Sequence, residues 1–186
     1  MKRFFDIVLC LFCLFVLLPL ILIISISIKL TSSGPVLYWS QRIGKNNKLF
    51  SMPKFRSMNV GAPTVATHLL QNAQSHLTPI GGILRKSSLD ELPQLWSILV
   101  GDMSFVGPRP ALYNQEDLIE QRTRLGIHVL LPGLTGWAQV NGRDELPIQQ
   151  KVAFDAEYLV CQGFWFDVRI LWMTLLKVLQ RDGVAH

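Results

Sequence analysis

The chain has 186 residues, room for one ordinary domain with a small appendage. Hydrophobic residues make up 49%, mean hydropathy is +0.31 and net charge is +5, which calls for an anionic partner such as lipid headgroups, nucleic acid or a phosphorylated substrate. Three cysteines exclude a disulfide framework, four scattered histidines lack metal-ligand spacing, and no Lys/Arg block resembles a nucleic-acid tail.

The first element is apolar. Ile7 to Ile28 carries no charge across 22 residues. A straight helix of that length spans roughly 33 Å, enough for a bilayer core. The run is too long, and too poor in small residues at a cleavage point, for a signal peptide. Cys10 and Cys13 form a CxxC inside it. A redox or metal role needs polar, accessible thiols, so these two read as small apolar side chains. Pro19 sits in the middle, where it removes a backbone hydrogen bond and bends a helix. Basic residues flank both ends: Lys2 and Arg3 before, Lys29, Arg42, Lys45, Lys48, Lys54 and Arg56 after. Positive charge marks the cytoplasmic side, so a single span violates that rule at one end. A helix that enters, breaks at Pro19 and returns satisfies both ends. Charge and proline leave both forms open, because transmembrane helices tolerate proline.

After Ser32-Ser33-Gly34-Pro35 the pattern changes. "VLYWSQR" and "LFSMPKFRSM" flank the turn-rich "IGKNNK", which reads as a β-hairpin, with Pro53 confining its second strand to an edge. Residues 57–79 read as a surface loop. Leu92, Leu95, Trp96 and Leu99 then fall at helical spacing, with Pro93 in the first turn and Gly101 past the end. "GDMSFVGPRP" is too rich in Gly and Pro for a regular element. Residues 111–127 read as a charged surface helix, and "LLPGLTGWAQVNGRDELP" as a turn-dense, site-like loop. Two helices close the chain. One carries Val152, Tyr158 and Leu159. The other runs from Phe164 to Arg181, with Trp residues suited to a membrane interface or to core packing.

Asp90 and Glu91 stand side by side in "SSLDELPQLW". Ser88 and Glu91 have the spacing of a capping box, and acidic residues suit a helix N-terminus. Loop and flanking cations point elsewhere. Arg85 precedes the pair, Arg109 lies between Pro108 and Pro110, and Arg143 sits in "NGRD". Arginines near a carboxylate pair make a phosphate site, in which a hard cation such as Mg²⁺ bridges carboxylate and phosphate oxygens. An aspartate can also attack phosphorus and carry the group covalently.

The strings "KRFFD", "SGPVLYWSQRIGKNNKLFSMPKFRSM", "LRKSSLDELPQLWSILVGDMSFVGPRP", "PGLTGWAQVNGR" and "FDAEYLVCQGFWFDVRILWMTLLKVL" together resemble the bacterial sugar transferases, the small monotopic polyprenyl-phosphate phosphoglycosyl transferases. The resemblance covers nearly the whole chain. It implies transfer of a sugar 1-phosphate from a UDP-sugar to undecaprenyl phosphate with release of UMP. This would be the initiating membrane step of a bacterial surface glycan or glycoprotein, at the cytoplasmic face of the inner membrane. By the same resemblance Asp90 is the nucleophile, forming a phosphoglycosyl-aspartate, and Glu91 assists through Mg²⁺ or through proton handling. Arg85 and Arg109 match basic positions near the phosphates. Lys54, Arg56 and Arg143 match family strings and are further candidates for substrate binding. The family's N-terminal helix is re-entrant and breaks at a Ser-Pro pair, which here is Leu18-Pro19.

The expected fold is therefore mainly α with a small β-hairpin: a re-entrant membrane segment over residues 1–32, then a transferase domain over 33–186 with interfacial amphipathic helices. Expected partners are the UDP-sugar, undecaprenyl phosphate, membrane lipid and, as candidates, downstream glycosyltransferases; nucleic acid is not among them. A non-enzymatic membrane adaptor that binds anionic lipid is the alternative. No residue selects the sugar.

Overall fold

A computed structural model of the chain describes residues 1–62, 73–142 and 146–180. The apolar run forms one helix, α1 (Lys2–Thr31), with Pro19 inside it. Pro19 thus does not end the helix, although it can donate no hydrogen bond to the preceding turn. Among the described residues α1 is the one helix long and apolar enough to cross a membrane. Ser25, Ser27 and Thr31 each return their hydroxyl to the carbonyl four residues back, which satisfies these polar groups within the helix.

The expected hairpin forms from β1 (Leu37–Ile43) and β2 (Leu49–Phe55), paired antiparallel from Leu37 opposite Phe55 to Ile43 opposite Leu49. Asn46 and Asn47 take left-handed backbone conformations in the link, as asparagine does more readily than most residues. Pro53 of β2 faces Trp39 of β1, and β2 is an edge of a three-stranded sheet, where a missing N–H costs no ladder bond. The third strand, β4 (Ala111–Leu112), lies at the start of the region expected to be helical. The helix there, α4, is confined to Glu116–Arg124.

Two glycine-rich stretches expected to lack regular structure instead pair with each other. β3 (Ser104–Val106) and β5 (Gly133–Thr135) form a parallel two-stranded sheet. Glycine permits the close approach: a Cβ on Gly133 would lie 2.1 Å from the Gly107 nitrogen. Each strand has three residues, too few to reveal an alternation.

Around the acidic pair the helix is split. α2 (Gly81–Lys86) leads to a 3₁₀ turn, Leu89–Gln94, and then to α3 (Leu95–Val100). Gly101 ends α3 in a left-handed conformation, as its position suggests. The expected apolar stripe shifts with this split. Leu95 and Ile98 are buried, whereas Trp96 is exposed, because α3 proper begins only at Leu95. α5 (Trp137–Asn141) follows β5, and α6 (Ile148–Cys161) and α7 (Phe164–Gln180) close the described chain as the two expected helices.

The core draws on distant parts of the chain. Cys10 of α1 packs with Met52, Leu95, Ile98, Met103, Phe105, Tyr158 and Ile170. Ile24 and Ile28, farther along α1, pack with Phe55 and Leu84, and with Leu89 and Leu92 of the 3₁₀ turn. Burial of these side chains is the main driving force, at about 1.5–3 kcal/mol for each large one. The cysteines are free, as expected. α1 is also bonded to the rest of the fold at both ends. Lys2 donates to the Val106 carbonyl and the Asp167 carboxylate, and Arg3 to the Ile98 and Leu99 carbonyls at the end of α3. At the other end Arg56 donates to Ser32 and Ser33.

Candidate active site

Asp90 and Glu91 lie in the first turn of the 3₁₀ segment. Ser88, just before it, has a left-handed backbone (φ 56°) and makes no side-chain capping bond. The Glu91 N–H meets the Ser88 carbonyl, and the Glu91 carboxylate turns away to two cations. The capping-box explanation of this pair is thereby excluded, since that box needs reciprocal side-chain bonds. Leu89 and Leu92, packed against Ile24, Ile28 and Phe55, anchor the turn and fix the direction of the two acids between them.

Lys54 Nζ donates to Glu91 Oε1 at 2.7 Å, and Arg109 Nη2 donates to the same oxygen at 3.2 Å. Lys54 comes from β2, which lies against the 3₁₀ turn. Arg109 comes from the loop after β3. Burial opposes the charge on Glu91, but the two cations, each also hydrogen-bonded to it, outweigh burial and hold its carboxyl well below the usual range. Both cations thus favour the ionised form of Glu91. Asp90 differs. It is 8% exposed, and burial pushes its carboxyl up. Lys54 opposes that rise, Glu91 adds to it, and Arg85 and Arg109 lower it, with burial prevailing. A carboxylate with a raised pKa is the stronger base, and so the better nucleophile once ionised.

Lys54, Arg85 and Arg109 against Asp90 and Glu91 are three positive charges against two negative, one net positive charge near the pair. That excess suits a diphosphate. The donor set also fits a divalent ion shared with substrate. Mg²⁺ commonly takes one or two carboxylates together with substrate phosphates, and two carboxylates are present. No group of three His, Cys, Asp or Glu that could hold a metal occurs among the described residues, so the fit is to a shared ion and not to a closed protein cage.

The structure thus brings together four of the expected site residues, Asp90, Glu91, Lys54 and Arg109, with Arg85 near enough to act on the Asp90 carboxyl. Arg56 is placed elsewhere. It is 4% exposed and its guanidinium donates to Ser32 and Ser33 at the end of α1. Arg143 lies outside the described residues. Pro19 lies within α1.

Sequence reading missed Arg122 and Asp155. Arg122 Nε and Nη2 both donate to Asp155 Oδ2, at 2.9 and 2.6 Å, while Nη1 donates to the Arg109 carbonyl at 2.8 Å. A signal was present on α6: Asp155 falls midway between Val152 and Tyr158 on the buried stripe, where an acid needs a partner.

The sequence profile of the family described as bacterial sugar transferases matches residues 1–181. The chain is 39% identical over 185 residues to the UDP-glucose:undecaprenyl-phosphate glucose-1-phosphate transferase of Escherichia coli, covering 95% of this chain and 40% of that protein. It is 36% identical to the undecaprenyl-phosphate galactose phosphotransferase of Salmonella typhimurium, covering 98% of this chain and 41% of that protein. It is also 36% identical to an uncharacterized sugar transferase of Bacillus subtilis, covering 100% of this chain and 91% of that protein. The chain thus spans about two fifths of the length of the two named transferases and nearly all of the third protein. With the profile running almost from end to end and a relative of nearly equal length, this chain belongs to the bacterial sugar transferase family.

Proposed function

We propose that the chain transfers a sugar 1-phosphate from a UDP-sugar to undecaprenyl phosphate. The observation that carries this reading is a buried Asp90 beside a Glu91 tied by Lys54 and Arg109, in a family whose named relatives act on these substrates. Asp90 attacks the phosphorus that bears the sugar. The Asp oxygen–phosphorus bond forms, the bond to the bridging oxygen breaks, and UMP leaves with that electron pair. A phosphate oxygen of undecaprenyl phosphate then attacks the same phosphorus and releases Asp90. Arg109 and Arg85 grip phosphate oxygens as charge moves onto them. Lys54 keeps Glu91 ionised and in place. A bound Mg²⁺ would be held by Asp90 and Glu91 and would supply charge neutralisation at the diphosphate.

The test is UMP release from a panel of UDP-sugars with undecaprenyl phosphate in detergent or nanodiscs. Activity with at least one sugar, its loss in EDTA and its return with Mg²⁺ are expected. With labelled UDP-sugar alone, the protein itself should carry the label. Absence of UMP release with every sugar would overturn the assignment, and release without labelled protein would overturn the covalent step alone. The relatives' names differ between glucose and galactose, so the panel also decides the sugar.

The membrane placement belongs to the same proposal: monotopic, at the cytoplasmic face of the inner membrane, with both ends of α1 on one side. A straight helix of 30 residues is about 45 Å long, longer than the hydrocarbon core. Were α1 to cross, Lys2 and Ser32 would face opposite compartments. Yet Lys2 is held by Val106 and Asp167, and Ser32 by Arg56, so both ends of α1 are bonded to the chain that follows it. A re-entrant course with a bend at Pro19 reconciles these bonds with the exposed Phe12, Phe15, Ile23 and Leu30 of α1. Trp96 of α3 and Trp165 and Trp172 of α7 are exposed and suit the interface. A cysteine added ahead of Met1, with Cys10, Cys13 and Cys161 replaced by Ala, should resist an impermeant thiol reagent applied outside the cell. Labelling from outside would mean that α1 spans.

A further inference from the structure

We propose that Arg122, held by Asp155, is a positioning residue that sets the Arg109 side chain against Glu91 and the substrate phosphates. The proposal rests on the functional reading above, and its test separates the two.

Arg109 has proline on either side. Pro110 supplies no N–H to tie the loop down, and Arg109, as the residue before a proline, is driven to extended backbone. Order in this loop must then come from outside it, and three successive carbonyls show how. Pro108 O accepts from the Gly133 N–H at 2.9 Å. Arg109 O accepts from Arg122 Nη1 at 2.8 Å. Pro110 O accepts from Arg42 Nη1 at 3.2 Å. The middle contact lies on Arg109 itself and rotates with its peptide plane.

Arg122 is suited to hold that plane because it is itself held. Its side chain is 11% exposed, and Asp155, which takes both its Nε and its Nη2, is 1% exposed. With Nε and Nη2 of a planar guanidinium fixed on a buried carboxylate, the position of its third nitrogen, Nη1, is fixed as well. Asp155 lies on α6 and Arg122 on α4, so the packing of these two helices is transmitted to the loop. The far end of Arg109 meets Glu91 Oε1 at 3.2 Å with its side chain 37% exposed, in position to face both Glu91 and an incoming anion. Lysine at 122 keeps one charge but cannot bond Asp155 and Arg109 O in this fork geometry.

The test is a double-mutant cycle in the full chain, reconstituted in nanodiscs, with two readouts. In UMP-release kinetics, Arg122→Lys is expected to lower kcat/KM about tenfold in the wild-type background and less than about twofold in the Arg109→Ala background. A merely structural Arg122 would cost the same factor in both, and equal factors overturn the proposal. In hydrogen–deuterium exchange, Arg122→Lys should speed exchange of the 104–112 segment, where the Gly107 N–H bonds the Thr135 carbonyl, with the melting temperature within a few degrees of wild type. Unchanged exchange in that segment also overturns it. Asp155→Asn, which keeps the shape but loosens the grip on Arg122, should give the same pattern in weaker form and serves if the lysine variant does not fold. If the wild-type chain releases no UMP, it is the functional reading that fails, and the exchange result alone decides whether Arg122 orders the loop.

Discussion

Replacing Asp90 by Asn is expected to lower UMP release by about a thousandfold or more while leaving the protein folded and inserted. Asn has the size of Asp but no charge to offer phosphorus. Stability should not suffer, and the reason lies in the direction of the Asp90 shift. Burial raises its carboxyl in the folded state, so the folded protein disfavours the charged form. A raised acid contributes stability that is full below its ordinary pKa and is lost as pH rises through the folded value. Above the folded value that contribution is gone, and removing the charge there costs nothing or relieves the buried site. Melting temperature against pH should therefore show wild type gaining relative to the Asn variant as the pH falls, and the Asn variant equal to or above wild type once Asp90 is ionised in the folded protein. A loss of many degrees at neutral pH would return Asp90 to a structural role. Near-normal activity would end its assignment as nucleophile.

Arg109→Ala is expected to reduce kcat/KM about a hundredfold or more. The substitution removes one of the two cations on Glu91 Oε1 and, on the proposed reading, the grip on the transferring phosphate. Arg109→Lys should recover only part, to within about tenfold of wild type, because an ammonium lacks the planar fork that pairs two oxygens. The same comparison at Arg85 should also show a clear loss, since Arg85 is among the cations that lower the Asp90 carboxyl. Full recovery by Lys at both positions would remove the bidentate role. Mutating Lys54 instead leaves Arg109 on Glu91, so its effect should fall on Glu91 placement and on the metal requirement.

Features carried by neighbouring residues were legible in the sequence. An uncharged run longer than a bilayer core reads as a membrane helix whatever it packs against. The hairpin follows from alternation on both sides of a turn-rich link, and Pro53 on an edge follows from its missing N–H. Asp90, Glu91, Arg85 and Arg109 are legible as an acidic pair with nearby arginines, while Lys54 and the individual roles follow from the family resemblance. Tertiary structure decided whatever depends on segments meeting across long separations. It sent the Glu91 carboxylate to Lys54 and Arg109, 37 and 18 residues away, and so chose between a cap and a site. It made strands of Ser104–Val106 and Gly133–Thr135, which are too short to carry a period and exist because they pair. It took Arg56 to the end of α1, though nothing in "PKFRSM" names Ser32 as its partner. It also joined Asp155 and Arg122 to Arg109, a contact no local pattern encodes, since a buried acid announces only that it needs a cation and not which one.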